Sequence, residues 1–325
     1  WVSALALSFV EEGTLSLLDP VEKYLPEFSG LRVGREVGEG IVYEPLKRPL
    51  TVYDLLRHTA GLTYGVFFRS PVKGLYLEAG VDRFDLSREV FLERLAALPL
   101  RFQPGETFEY GLATDLLGHL LEALAGRSLA ELLEERLFRP LGMKDSGFQA
   151  KDPARLAQPF PKDPETGHSL RLLPVETPPP RYAGGMGGVG TAADYLAFLE
   201  ALRLGRGALS PTMAGFMVQD HLGSLYPEAL KRGPEYLPGP GYSFGLGVAV
   251  RVEPMGYSPG ALGEWTWAGF GGTFFFVDPL QEITALYLAQ APNLLSVLEP
   301  EKALHSRLGA RLQHAFRTLV YLGLE

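Results

Sequence analysis

Apolar residues recur at three- and four-residue intervals in several stretches of the chain, which is the spacing of helices that bury one side. Several of these stretches follow a serine or threonine, and several end at a glycine, which are the residue types that cap helices. The pattern predicts helices over about 2–12, 19–26, 52–57, 87–98, 114–125, from 128 onward, 191–204 and 301–322.

Shorter apolar runs dominate the last third of the chain and predict β-strands within 242–252, 265–277 and 283–289. Residues 29–49 are glycine-rich and are predicted to be irregular, and residues 150–183 are proline-rich and are predicted to form loops. The order of elements predicts an α+β fold, in which an antiparallel sheet is flanked by N- and C-terminal helices and carries an inserted helical domain. We expect one unit over 1–325, with 1–45 and 242–325 in the α/β part and 46–241 in the helical part.

Composition excludes several classes of protein. The net charge is −8 and no block of Lys and Arg occurs, so we expect no nucleic-acid partner. No apolar run approaches twenty residues, so we expect no membrane span. The chain has no cysteine, which excludes disulfides and thiolate metal sites. A single asparagine, Asn293, and abundant proline fit a heat-tolerant protein, but GC-rich codon usage explains them equally well.

The apolar segment 1–10 resembles the core of a signal peptide but has neither a basic start nor a small-residue cleavage site before Glu11. Because it also lacks an initiator methionine, we expect the chain to begin inside a helix of a longer protein. A cytoplasmic location is the default expectation.

Three motifs suggest chemistry that their surroundings disfavour. Residues 185–190 match G-x-G-x-x-G, but a proline run precedes them where a dinucleotide-binding fold needs a strand. Residues 256–260 match G-x-S-x-G, with Asp278 and either His305 or His314 following in the order of a triad. That elbow requires a helix after Ser258, and the sequence there predicts a hairpin turn instead. Ser70 and Lys73 form S-x-x-K, but Gly74 and the irregular surroundings predict a surface loop.

Six segments, in order along the chain, resemble the penicillin-recognising (serine β-lactamase-like) superfamily, which includes class C β-lactamases, D-alanyl-D-alanine peptidases and family VIII carboxylesterases. They are LALSFVEEGTLSLLDPVEKYLP at 5–26, VYDLLRHTAGL at 52–62, FQPGETFEYGLATDLLG at 102–118, a block at 128–143 that ends in RPLGM, GGMGGVGTAAD at 184–194, and WAG at 267–269. The last segment falls where the family has its K-T-G triplet. The resemblance covers nearly the whole chain.

The resemblance implies an acyl-serine mechanism and assigns parts of it to residues of this chain. The nucleophilic Ser and its Lys are expected upstream of Trp1, because the family places them at the start of the helix that ends near Gly13. Tyr110 is expected to act as the base partner, with a neighbouring cation lowering its pKa. The backbone N–H of Phe270 is expected to form half of the oxyanion hole.

The substrate-binding residues implied by the resemblance are Leu112, Trp267, Ala268, Gly269 and Gly187. Leu112 replaces the Asn of the usual Tyr-x-Asn triplet and cannot hydrogen-bond a substrate amide. Trp267 replaces the lysine of K-T-G, which removes a charge-assisted contact with a carboxylate. Family VIII esterases often carry tryptophan or histidine at that position.

These replacements favour a carboxylesterase that hydrolyses short neutral esters. A D-alanyl-D-alanine peptidase or β-lactamase with the same machinery, an amidase for aminohexanoate oligomers, and a non-catalytic penicillin-binding-like protein remain open alternatives. His58 lies in a stretch that is structural in the family, and no histidine has metal-ligand spacing. We therefore expect no metal and no organic cofactor, and a small ester or peptide-like molecule as the partner.

Overall fold

Five antiparallel strands form the main sheet of a computed structural model that describes residues 1–170, 173–254, 258–291 and 310–324. The strands follow one another in chain order: β3 (Tyr242–Phe244), β4 (Ala249–Arg251), β5 (Trp265–Ala268), β6 (Phe274–Asp278) and β7 (Ile283–Tyr287). All three stretches with β-like patterns therefore contain strands, and the predicted antiparallel sheet is confirmed.

Strand β6, which lies between β5 and β7, is buried on both faces, because helices cover the sheet on each side. Phe274 and Phe276 pack with Phe316 of the C-terminal helix α10 (Ala310–Leu322), while Phe275 and Val277 point to the other face. That other face joins the main core, which also contains the buried side of α1 (Val2–Glu11). Terminal helices flank the sheet as predicted. The start of the predicted last helix, 301–309, lies outside the described residues.

Between α1 and β3, most of the regular secondary structure is helical, and loops connect the helices. The helices are α2 (Val52–Leu56), α3 (Pro71–Ala79), α4 (Arg88–Ala96), α5 (Ala113–Ala125), α6 (Leu129–Leu133), α7 (Ala192–Leu204), α8 (Pro211–Met217) and α9 (Leu225–Leu230). Ser87 and Thr191 cap α4 and α7 as their sequence positions predict, and Ser128 and Glu131 form a reciprocal capping box on α6. The division into parts at 45 and 241 stays a prediction.

Two local predictions are wrong. Residues 29–49 contain a hairpin of β1 (Arg32–Val37) and β2 (Gly40–Pro45), which turns at Gly38, where φ is +60°. Most side chains of β2 are exposed, so the hairpin lacks the alternation that identifies strands in a sequence. The segment 19–26 forms 3₁₀ turns at Val21–Lys23 and from Pro26 onward instead of one helix.

The predicted surface loop around Ser70 is also wrong, because α3 begins there. The Ser70 hydroxyl accepts a hydrogen bond from the backbone N–H of Lys73, and Pro71 occupies the first helical turn, where its missing N–H costs nothing. Val72, Lys73 and Tyr76 are buried, which holds the helix in place despite Gly74. Within the described residues, no helix combines the length and the apolar character needed to cross a bilayer.

Candidate active site

Tyr110 lies at the end of the loop that leads into α5, and its backbone position is tightly fixed. The preceding Glu109 donates its backbone N–H to the carbonyl of His58 at 2.8 Å. A Cβ at the following Gly111 would approach the carbonyl oxygen of Leu62 to 2.5 Å, so only glycine fits there. The segment that carries Tyr110 therefore packs directly on the chain that follows α2.

Aromatic rings surround the Tyr110 phenol on three sides. Its ring centroid lies 4.8 Å from that of His58, 5.1 Å from that of Trp267 and 5.6 Å from that of Tyr64. Phe244 of β3 supports Trp267 from behind, with centroids 5.2 Å apart. The helical part and the sheet thus meet at a half-buried tyrosine and tryptophan, and Trp267 contributes no positive charge.

Burial raises the pKa of Tyr110, a hydrogen bond from the Trp267 side chain lowers it, and the carboxylate of Asp115 raises it further. Burial also lowers the pKa of His58 to about 3, so this imidazole is neutral at physiological pH. His58 Nε2 lies 3.3 Å from the hydroxyl of Thr114. Its buried, uncharged ring packs beneath Tyr110.

The backbone at the end of β5 is open on one side. Strand β4 pairs with β5 only as far as Thr266, so Trp267, Ala268 and Gly269 extend beyond it. Ala268 and Gly269 are exposed, and Phe270 in the following turn exposes 52% of its surface. Among the described residues, the Phe270 N–H has no backbone partner. This edge can therefore accept hydrogen bonds from, and donate them to, a small molecule.

Only one end of the glycine-rich loop 184–188 lies near the aromatic side chains that surround Tyr110. Gly185 faces the Tyr64 hydroxyl and the Asp115 carboxylate, whereas Gly187 is buried with φ of +81° against the ring of Phe84. The side chain of Leu112 is also fully buried, in the core beside α5. Tyr110, Trp267 and the open edge of β5 thus come together, whereas Leu112 and Gly187 are buried and contribute only packing.

A cluster of buried charges lies behind Tyr110 and was not foreseen from the sequence. Glu109 accepts a hydrogen bond from Arg101 at 3.1 Å, pairs with Arg232, and lies 3.4 Å from Lys73 Nζ. Arg101 and Arg232 each also donate to Glu235 at 2.7 Å. Although burial opposes the shift, these two hydrogen bonds lower the pKa of Glu235 to about 2. Burial lowers the pKa of Lys73.

Within the part of the chain that the structure describes, none of the three disfavoured motifs forms a site of its own. Lys73 of S-x-x-K points to Glu109, and Ser70 caps a helix. The residues from Ser258 to β5 contain no helix, and the Asp278 carboxylate accepts from the backbone N–H groups of Leu280 and Gln281, each at 3.0 Å. Gly256, Tyr257 and His305 lie outside the described residues. No strand immediately precedes residues 185–190, as expected.

Sequence reasoning missed Tyr64, Asp115 and Arg181, which adjoin the site. Tyr64 is separated from the HTAGL stretch by a single residue, and Asp115 lies in the first turn of α5. Their positions in or beside the family-like segments could therefore have identified both residues. Arg181 lies in a loop with no pattern and could not have been found. Within the described residues, no group of three or more His, Cys, Asp or Glu side chains is arranged to hold a metal ion.

An antiparallel sheet between terminal helices, with a tyrosine of a helical part facing the end of a central strand, defines the serine β-lactamase-like class of hydrolase fold. The family model described as beta-lactamase matches residues 2–305, and the chain belongs to this family. The expected superfamily is therefore confirmed.

Relatives within the family include esterases. The chain is 33% identical over 308 residues to Esterase EstB of Burkholderia gladioli, covering 88% of this chain and 74% of that protein. It is 33% identical over 309 residues to Protein Rv1367c of Mycobacterium tuberculosis, covering 90% and 76%. Among solved structures, EstCE1, a hydrolase with promiscuous acyltransferase activity, matches with a TM-score of 0.74 and 29% identity over 94% of this chain and 82% of that one. Family and relatives together indicate a hydrolase of the serine β-lactamase fold.

Proposed function

We propose that this protein is a serine carboxylesterase that hydrolyses short neutral esters through an acyl-serine intermediate. The observation that carries the proposal is the pairing of Tyr110 with Trp267, whose ring centroids are 5.1 Å apart. The tyrosine supplies a group that can move a proton, and the tryptophan supplies an apolar surface where a carboxylate-binding cation would otherwise stand. A neutral ester suits that surface better than a charged peptide or lactam.

In the proposed reaction, a serine that precedes Trp1 attacks the ester carbonyl and passes its proton to the Tyr110 phenolate. The tetrahedral intermediate collapses, the C–O bond to the alcohol breaks, and Tyr110 returns the proton to the departing alkoxide. Water then attacks the acyl-serine by the same route. The backbone N–H of Phe270 is proposed to stabilise the oxyanion, together with the N–H of the serine.

Burial raises the pKa of Tyr110, so its phenolate needs a nearby cation to form at neutral pH. We propose that a lysine three residues after the serine supplies this charge, also from the segment before Trp1. Ala268 and Gly269 are proposed to let the acyl group lie along the open edge of β5, whereas Leu112 and Gly187 shape the site through the core.

Other functions would use the same residues. Acyl transfer to an alcohol is favoured by the solved relative EstCE1, a hydrolase with promiscuous acyltransferase activity. It differs from hydrolysis only in the molecule that attacks the acyl-serine. A β-lactamase or D-alanyl-D-alanine peptidase activity is disfavoured by the missing cation at Trp267. A non-catalytic binding protein would have the groove without turnover.

The deciding experiment labels the full-length protein with a fluorophosphonate probe and locates the modified residue by mass spectrometry. We expect an adduct on a serine upstream of Trp1 and hydrolysis of p-nitrophenyl butyrate faster than that of nitrocefin. Tyr110→Phe keeps the ring contacts and is expected to lower kcat by about 100-fold or more, the typical contribution of a positioned base. An adduct on Ser258, or faster nitrocefin turnover, would overturn the proposal.

A further inference from the structure

A fully buried ion pair connects the glycine-rich loop to the helix that follows Tyr110. Asp115 lies in the first turn of α5, and Arg181 lies three residues before Gly184. Arg181 Nη1 donates to Asp115 Oδ1 at 3.1 Å, and neither side chain is exposed. The guanidinium also lies over the ring of Phe91, 4.1 Å from its centroid. Two segments 66 residues apart in the chain are thereby held at a fixed separation.

The loop approaches α5 so closely that glycine is required at the contact. A Cβ at Gly185 would lie 2.5 Å from Asp115 Oδ2 and 3.5 Å from the Tyr64 hydroxyl. Gly184 packs on the backbone of Thr114 in the same turn of α5. The Asp115 carboxylate therefore lies at a junction of the loop, α5 and Tyr64, and the Tyr64 ring in turn contacts Tyr110.

The Asp115–Arg181 pair is poorly suited to stabilising the fold. Asp115 Oδ2 and Arg181 Nε and Nη2 have no hydrogen-bond partner among the described residues. A buried ion pair with unsatisfied atoms seldom stabilises a fold more than apolar residues of the same volume would. Its place between the loop and the Tyr110 segment gives it a different role.

We propose that Asp115, held by Arg181, is a positioning residue that fixes the glycine-rich loop and Tyr64 against Tyr110 for the acyl-transfer step. This inference rests on the proposed function of Tyr110. If the pair is lost, the loop separates from α5 and Tyr110 loses the support of Tyr64. A displacement of about 1 Å at a reacting group can lower kcat by about 100-fold.

The same geometry makes the titration of Tyr110 depend on the pair. The Asp115 carboxylate raises the pKa of Tyr110, so neutralising it lowers that pKa. The other groups around the phenol are a neutral His58, Tyr64 and the uncharged Trp267. Asp82 lies behind these groups, and its pKa is raised chiefly by burial and also by the Asp115 carboxylate. The charged residues around Glu109 lie there as well: Lys73, Arg101, Arg232, Glu235 and Glu36.

The test compares Asp115→Asn with the double variant Asp115→Asn/Arg181→Met in the full-length protein. The single variant leaves Arg181 charged and unpaired and is expected to lose thermal stability, whereas the double variant removes both charges and is expected to fold. We expect the double variant to keep its Tm within a few degrees but to lose about 100-fold in kcat for p-nitrophenyl butyrate, with KM changed less than about threefold. The acidic limb of kcat against pH is expected to move to lower pH in Asp115→Asn.

A matched control exists just before β5, where Glu264 pairs with Arg317 of α10 and both side chains are buried. The variant Glu264→Gln/Arg317→Met removes a buried pair without touching the site and is expected to leave kcat unchanged. Wild-type kcat in the double variant at 115 and 181, or an equal loss in this control, would overturn the inference.

A second measurement separates this inference from the proposed function. With fluorotyrosine incorporated, the Tyr110 resonance is assigned by its loss in Tyr110→Phe and its titration is followed without any substrate. Failure of wild-type protein to hydrolyse esters would reject the proposed function, whereas an unchanged Tyr110 titration in Asp115→Asn would reject the inference alone. A shift to lower pH supports the inference.

Discussion

Neutralising Glu109 is expected to be among the most destabilising single changes in the chain, because its carboxylate is buried among three cations. Glu109 exposes only 2% of its surface and accepts hydrogen bonds from Thr63 at 2.6 Å and Arg101 at 3.1 Å, besides its pairs with Arg232 and Lys73. Glu109→Gln preserves the shape and removes the charge. Arg101 and Arg232 then retain only partly exposed carboxylates as partners, and Lys73 loses its pairing with Glu109.

The expected loss of stability depends on which charges each substitution leaves unpaired. Removing one partner of a buried pair costs about 3–5 kcal/mol, because the remaining charge is left unpaired in the interior. Lys73→Met differs, since Glu109 keeps both arginines and the lost contact is a 3.4 Å approach without a hydrogen bond. Burial already lowers the pKa of Lys73, so its charged form is disfavoured at this position. We expect Lys73→Met to cost about 1 kcal/mol or less.

Urea denaturation at pH 7, followed by tryptophan fluorescence, measures both variants and their combination. The double variant is expected to be more stable than Glu109→Gln alone, because it removes one of the unpaired cations. A loss of under about 1 kcal/mol for Glu109→Gln, or equal losses for the two single variants, would refute the reasoning from charge balance. If kcat falls by more than the loss of folded protein explains, the cluster also holds Tyr110 in place.

Three further changes have defined outcomes. Burial raises the pKa of Asp82 to about 6, so the ionised carboxylate lowers the stability of the fold above pH 6 and has no effect below about pH 4. Asp82→Asn should therefore stabilise the protein at pH 8 by at most about 3 kcal/mol and leave its stability at pH 4 unchanged, as measured by urea midpoints. Ser128→Ala removes a capping box and should cost about 1 kcal/mol in the same assay, with no change in kcat. Trp267→Lys should lower kcat/KM for p-nitrophenyl butyrate by about tenfold or more while improving binding of carboxylate-bearing esters, and a uniform loss on both would contradict the proposed function of Trp267.

The long helices could be predicted from sequence because their limits are marked by local chemistry. For α5 and α7, an apolar stripe is followed by Gly126 or Gly205, each of which adopts positive φ at the C-terminus of its helix. The predicted and observed limits differ by one residue. Helix α3 was missed because Gly74 was taken as a helix breaker, whereas burial of its neighbours outweighs that propensity.

The site could be predicted only as far as the family blocks reach. Tyr110, Trp267 and the glycine-rich loop lie within them, but the partners that hold these residues come from distant segments without a pattern. Arg101 and Glu235 are 134 residues apart and still share a hydrogen bond. Charged residues are usually solvated, so nothing in the sequence marks these as buried. Their pairing depends on tertiary packing.

Leu112 illustrates how a substitution can act without touching a substrate. From sequence, its lack of a hydrogen-bonding group suggested weaker recognition of amides. In the structure its side chain is wholly within the core, one residue before α5 begins. An asparagine in that orientation would bury an unpaired amide, which costs about 1–3 kcal/mol. The proposed preference for esters is therefore built into the packing beneath Tyr110, and restoring amide recognition would require the loop to reorient as well as the side chain to change.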